Sequence, residues 1–125
     1  RAEANLEAIR QAVPSIKITL NDLADTELHK KEIAESDILS NATRLGMAPL
    51  EDKSIIDGLD VLRPDLIVTD VVYMPAETKL LKQAKEAGCR TFEGLGMLLY
   101  QGAEAYRLYT GETMPVDEIK ELLYK

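Results

Sequence analysis

The stretch "DLIVTDVVY", Asp65 to Tyr73, is the most strand-like in the chain. Its apolar run is nearly unbroken and rich in β-branched residues. That predicts a strand covered on both faces, as at the centre of a parallel sheet. Asp70 interrupts the run, and a buried acid needs hydrogen-bond partners or a raised pKa. We read it as holding a neighbouring loop rather than as catalytic.

Downstream, "ETKLLKQAKEAG" sets Leu80, Leu81, Ala84 and Ala87 on one helical face and ends at Gly88, a suitable C-cap. "CRTFEG" is a short strand, Met97 to Thr110 a helix, and Pro115 the first residue of a last helix, "PVDEIKELLY". Upstream, Ala4, Leu6, Ala8, Ile9 and Ala12 recur at helical spacing until Pro14. "IKITL" (Ile16 to Leu20) alternates like a strand. Asp25 or Thr26 caps a helix running to about Ser36, and Asp37 to Thr43 is a strand entering the loop "RLGMAPLEDKS". "GLDVLRP" (Gly58 to Pro64) reads as a short helix.

Strands therefore alternate with helices, which predicts a parallel α/β sheet with helices on both faces and further helices at the C-terminal end. Ligands of such sheets bind beyond the carboxyl ends of the strands. Three loops stand there: "NATRLGM", "VVYMP" and "EGLGM".

With 125 residues and 46% apolar content, the chain suffices for one domain with a core and is too short for two. A net charge of −7 argues against a general nucleic-acid or membrane-surface binder. A single cysteine, Cys89, excludes an internal disulfide and a cysteine-based zinc cluster. One thiol and no signal-like start suit a cytoplasmic compartment. No apolar run approaches the ~20 residues that span a bilayer. The start "RAEANLEAIRQAVP" lies inside a helix and lacks Met, so the chain reads as part of a longer one.

Within the three loops, Asn41 and Thr43 either bond a ligand or shape the turn. Arg44 is either an anion partner or a solvated cation. Gly94 and Gly96 admit close approach of backbone to a ligand, or positive φ. They lack the third glycine of the pyrophosphate fingerprint. Gln101 sits at the border of its helix between Leu98, Ala105 and Leu108 and the polar Tyr100, Glu104 and Arg107. Covered by another domain, its amide would need partners, which a polyhydroxylated ligand supplies. His29 and Cys89 are poor catalytic candidates, and no metal constellation is visible.

"NATRLGM", "VVYMPAETKLLKQAKEAGCRT" and "EGLGMLLYQGAEAYRLYTG", in this order and spacing, resemble the C-terminal part of the shikimate dehydrogenase family, nearest its quinate/shikimate dehydrogenase branch. The resemblance covers roughly Leu20 to Leu123 and is most specific in "GLGMLLYQGA". It implies an incomplete Rossmann-like sheet, residues 1–125 forming part of an NAD(P)-binding domain. The implied reaction is reversible hydride transfer between NADP or NAD and shikimate/3-dehydroshikimate, with quinate as a further substrate, on the route to aromatic amino acids. By position in the motifs, Val71, Val72, Tyr73 and Met74 line the nicotinamide, largely through backbone, and Gly94 meets it through backbone. Thr43 and Met97 border the same pocket, Arg44 stands near the cofactor, and Gln101 bonds substrate. Met74 and Glu93 depart from the family's usual Asn and Asp. The family's catalytic lysine and aspartate, its first two strands and its phosphate loop have no counterpart here. The expectation is a piece of a longer enzyme, inactive alone. The alternatives are a non-enzymatic α/β module binding a nucleotide or partner, or a related dehydrogenase of other specificity.

Overall fold

The computed structural model describes residues 2–123, and Tyr124 of the expected last helix lies outside them. Two compact units are present, Arg1–Glu35 and Ser36–Lys125.

The first unit holds α1 (Ala2–Ala12) and α2 (Thr26–Ala34). None of the α1 residues is buried, although its apolar stripe forms at the expected spacing. Asp25 caps α2 by accepting a hydrogen bond from the Leu28 N–H at 3.1 Å. "IKITL" forms no strand. Alternation supplies β propensity, but a strand exists only where its N–H and C=O groups meet a neighbour. Among the described residues, the sheet pairs no strand with this segment.

The second unit is built on three parallel strands, β1 (Ile38–Asn41), β2 (Ile67–Asp70) and β3 (Arg90–Phe92), in that spatial order. β2 is central, as its apolar run predicts. The register aligns Leu39, Val68 and Thr91 in one row and sets Asn41 beside Asp70. On this face Val68, Asn41 and Asp70 are buried. The opposite rows are more open, with Ile38 57% and Phe92 47% exposed. α3 (Lys79–Glu86) packs against β2 and β3 and buries Leu80, Leu81 and Ala84 on its single apolar face. It ends through Ala87 and Gly88, whose φ of +78° is the left-handed turn a glycine takes without strain.

α4 (Gly94–Thr110) and α5 (Val116–Leu123) follow and pack together. α4 starts three residues earlier than periodicity predicts, so the Gly-x-Gly pair belongs to its first turn rather than to a loop. "GLDVLRP" is not a helix. It makes separate turns, with Leu62 N–H donating to Leu59 and Leu66 N–H to Arg63, both at 3.0 Å. Pro64 disfavours the helical conformation before it, and so few residues cannot offset helix nucleation.

Cys89 sits where α3 hands over to β3. Its backbone N–H donates to Ala84 and its thiol to the Arg63 carbonyl, at 2.9 and 3.2 Å. Burial pushes its pKa above the usual thiol value, outweighing the contact with Arg63. Cys89 should therefore react slowly with a maleimide at neutral pH in the native protein and at the free-thiol rate in denaturant. A raised native pKa also means that this group's contribution to stability is complete below the unfolded chain's thiol pKa. It fades as pH rises through the native value.

Candidate functional site

The site begins with a buried acid. Asp70, 3% exposed, ends β2. One carboxylate oxygen accepts from Asn41 Nδ2 at 3.0 Å and from the Val72 N–H at 2.9 Å. The other accepts from Thr78 Oγ1 at 2.7 Å. These donors come from the end of β1, the loop after β2 and the cap of α3. Charge-assisted bonds of this kind are roughly twice as strong as neutral ones. Three of them give the acid the partners its burial requires.

Asn41 extends the network. Its amide also donates to Leu45 O at 3.0 Å, and its Oδ1 accepts from the Thr43 N–H and hydroxyl at 3.0 and 2.7 Å. The Thr43 hydroxyl in turn accepts from Leu45 N–H at 3.1 Å. "NAT" is thus a turn held by its own side chains, the turn-shaping alternative of the sequence reading. Gly46 turns this loop back with a φ of +97° and packs on Thr78, where a Cβ would lie 3.1 Å from the Thr78 Cβ and Cγ2.

Between the two loops lies an apolar cleft of about 370 Å³. Thr43, Met47 and Ala48 line one side; Val71, Val72, Tyr73 and Met74 line the other. A volume of this order is that of a small-ligand site. Both loops carry a cis peptide before proline, Ala48–Pro49 and Met74–Pro75.

The third motif, at the start of α4, meets the backbone of the second. Gly94 is buried, and a Cβ built on it would stand 2.5 Å from the Val71 carbonyl oxygen and 2.6 Å from that of Val72. The glycine is required by packing: the first turn of α4 rests directly on the backbone of Val71 and Val72, in the segment that lines the cleft. Gly94 does not have positive φ.

Five of the expected cofactor residues, Thr43, Val71, Val72, Tyr73 and Met74, therefore share one cleft, and Gly94 supports it. Arg44 is exposed and follows Thr43 in the chain, outside the lining. Met97, 44% exposed, and Gln101, exposed, lie on α4 and do not line the cleft. Met47 and Ala48 were missed. Met47 closes "NATRLGM", one of the three loops placed at the ligand edge, but nothing in its type marked it as a lining residue, and Ala48 carried no signal beyond its place in the "RLGMAPLEDKS" loop. Among the described residues, no group of three His, Cys, Asp or Glu side chains could hold a metal, and no helix is long and apolar enough to cross a membrane.

A parallel sheet with a cleft at the carboxyl ends of its strands is the arrangement of Rossmann-like nucleotide-binding domains. The family described as shikimate 5'-dehydrogenase C-terminal domain matches residues 94–124. Over 98% of the chain, 59% of residues are identical to the NADP(+) shikimate dehydrogenase of Streptococcus uberis, 42% of whose length is covered. The crystal structure of a Listeria monocytogenes shikimate 5-dehydrogenase with shikimate and NAD superposes with a TM-score of 0.86 and 50% identity. That match takes in 96% of this chain and 43% of the other. A Corynebacterium glutamicum quinate dehydrogenase with NAD gives 0.84 at 36% identity, over 98% of this chain and 42% of that one. The resemblance to the shikimate dehydrogenase family is confirmed, and this chain is the counterpart of the C-terminal part of such enzymes. It spans about two-fifths of the length of these relatives.

Two glycines of α4 test the geometry. Gly94→Ala should destabilise by at least about 1–3 kcal/mol, because its methyl meets backbone that cannot yield. Gly102→Ala, in the same helix with nothing within 4 Å of an added Cβ, should stabilise by roughly 0.5–1 kcal/mol. Urea titration of both variants checks the pair.

Proposed function

We propose that this chain is the C-terminal, cofactor-side part of a dehydrogenase acting on shikimate/3-dehydroshikimate with NADP or NAD, in aromatic amino acid (chorismate) biosynthesis in the cytoplasm. The observation that carries the reading is the apolar cleft formed by the loops after β1 and β2, with Gly94 of the third motif packed against the Val71 and Val72 backbone. The 59% identity over 98% of the chain supports the choice of substrate.

The residues present suit the nicotinamide end of such a cofactor. The cleft is mostly apolar, and the Thr43 hydroxyl in its lining is already bonded to Asn41 and to the Leu45 N–H. A flat, weakly polar ring is the kind of group such walls accept. Bound there, the cofactor supplies or accepts the hydride. In this reading Val71 to Met74 hold the ring along one side and Thr43 along the other, while Gly94 keeps the backbone of Val71 and Val72 in place. Arg44, at the rim, meets a negative part of the cofactor, and Met97 borders the pocket once further protein covers α4. Gln101 donates to or accepts from a hydroxyl of the substrate ring. Its exposure in this chain is what a residue facing a covering substrate domain would show.

No residue of this chain is assigned to proton transfer. The lysine and aspartate of the family's chemistry are expected in a preceding substrate domain, and the phosphate loop with the first two strands in the segment between. The role of residues 1–125 is then orientation. Holding the ring in one pose toward the substrate converts binding energy into rate.

The full-length polypeptide carrying this chain should reduce NADP+ in the presence of shikimate, and the same assay with quinate ranks the two substrates. Gln101→Ala should raise KM for shikimate about three- to tenfold, the worth of one neutral hydrogen bond. KM for the cofactor should stay within about twofold. A wild-type protein inert toward both acids would overturn the reading.

A further inference from the structure

We propose that Asp70 is a positioning residue for the cofactor cleft: its carboxylate sets the distance between the Thr43 and Val72 walls, and so the pose of the ring between them. This rests on the cofactor reading given above.

The walls of the cleft are surface loops. Thr43, Met47, Tyr73 and Met74 are exposed, whereas Val72 is buried with its backbone against Gly94, so burial anchors the start of one wall and leaves the other to polar contacts. The polar contacts that tie the two walls to each other converge on one group. The Val72 N–H donates directly to Asp70 at 2.9 Å. Thr43 reaches the same carboxylate through Asn41, which accepts from Thr43 twice and donates to Asp70 at 3.0 Å. Opposite sides of the cleft therefore meet at a single buried acid within two hydrogen-bonded steps. Thr78 holds the second carboxylate oxygen at 2.7 Å, so the group cannot rotate away.

The Thr43 hydroxyl is engaged on both sides, with Asn41 and with Leu45. Thr43 thus acts as a wall whose position the network dictates, rather than as a donor waiting for a ligand. The chemistry also requires an acid at position 70. Three donors point at it, and only a carboxylate offers acceptors on both of its ends. An asparagine presents one oxygen and one NH₂, which would face a donor.

Kinetics of the full-length enzyme with NADP+ and shikimate separate positioning from mere support of the fold. Asp70→Asn should raise KM for NADP+ at least about tenfold and lower kcat, with KM for shikimate within about twofold. Thr78→Val cuts only the α3 arm. It should lower the melting temperature while moving the cofactor KM less than threefold, and Thr78→Ser should restore the melting temperature. If Asp70→Asn does not accumulate as folded protein, Asn41→Ala severs Thr43 from the carboxylate and should show the same selective rise in cofactor KM. The inference is overturned if the folded variant keeps its cofactor KM and loses only melting temperature. It is equally overturned if both KM values rise together, or if Thr78→Val raises the cofactor KM as much as Asp70→Asn does. Failure of the wild type to oxidise shikimate would instead strike the underlying functional reading, and this inference with it.

Discussion

One buried carboxylate organises the carboxyl edge of this sheet. Asp70 closes β2, and its three donors belong to the β1 turn, the loop after β2 and the start of α3. Leaving it unpaired would be costly in so dry a place, so the partners must be delivered together or the arrangement is not formed. The acid thus links strand register to loop shape. Asn41 can reach it because the β1–β2 register places the two residues side by side. A slip of β1 by one residue would turn Asn41 to the other face, away from Asp70.

The second constraint is steric. α4 can begin where it does only because Gly94 has no side chain, which lets a helix end lie on the carbonyls of Val71 and Val72. Polar bonding to Asp70 and backbone packing of Gly94 hold Val71 and Val72, the start of the four-residue segment Val71 to Met74. That segment is the longer wall of the apolar cleft.

Where residues report local physics, the sequence was readable. The apolar run of β2, the stripe of α3 with its glycine exit, and the Asp25 cap all appear where the pattern put them. Reading failed where the outcome depends on a neighbour. "IKITL" carries the alternation of a strand, yet a strand also needs a partner, and none pairs with it among the described residues. Periodicity placed the start of α4 at Met97 because glycines weaken any helical signal. The early start follows instead from what Gly94 touches.

The same division runs through the site. Sequence by itself determined the order of the three strands and of the helices that form, the motifs that matter and the family they resemble, because motif spacing and apolar periodicity are written along the chain. It also marked Asp70 as an acid that must have partners. Only the tertiary structure decided who those partners are, that Met47 and Ala48 join the cleft, and that Gly94 serves packing. These are distances between segments far apart in sequence, fixed by parallel pairing and by a helix resting on a turn, and no local pattern encodes them.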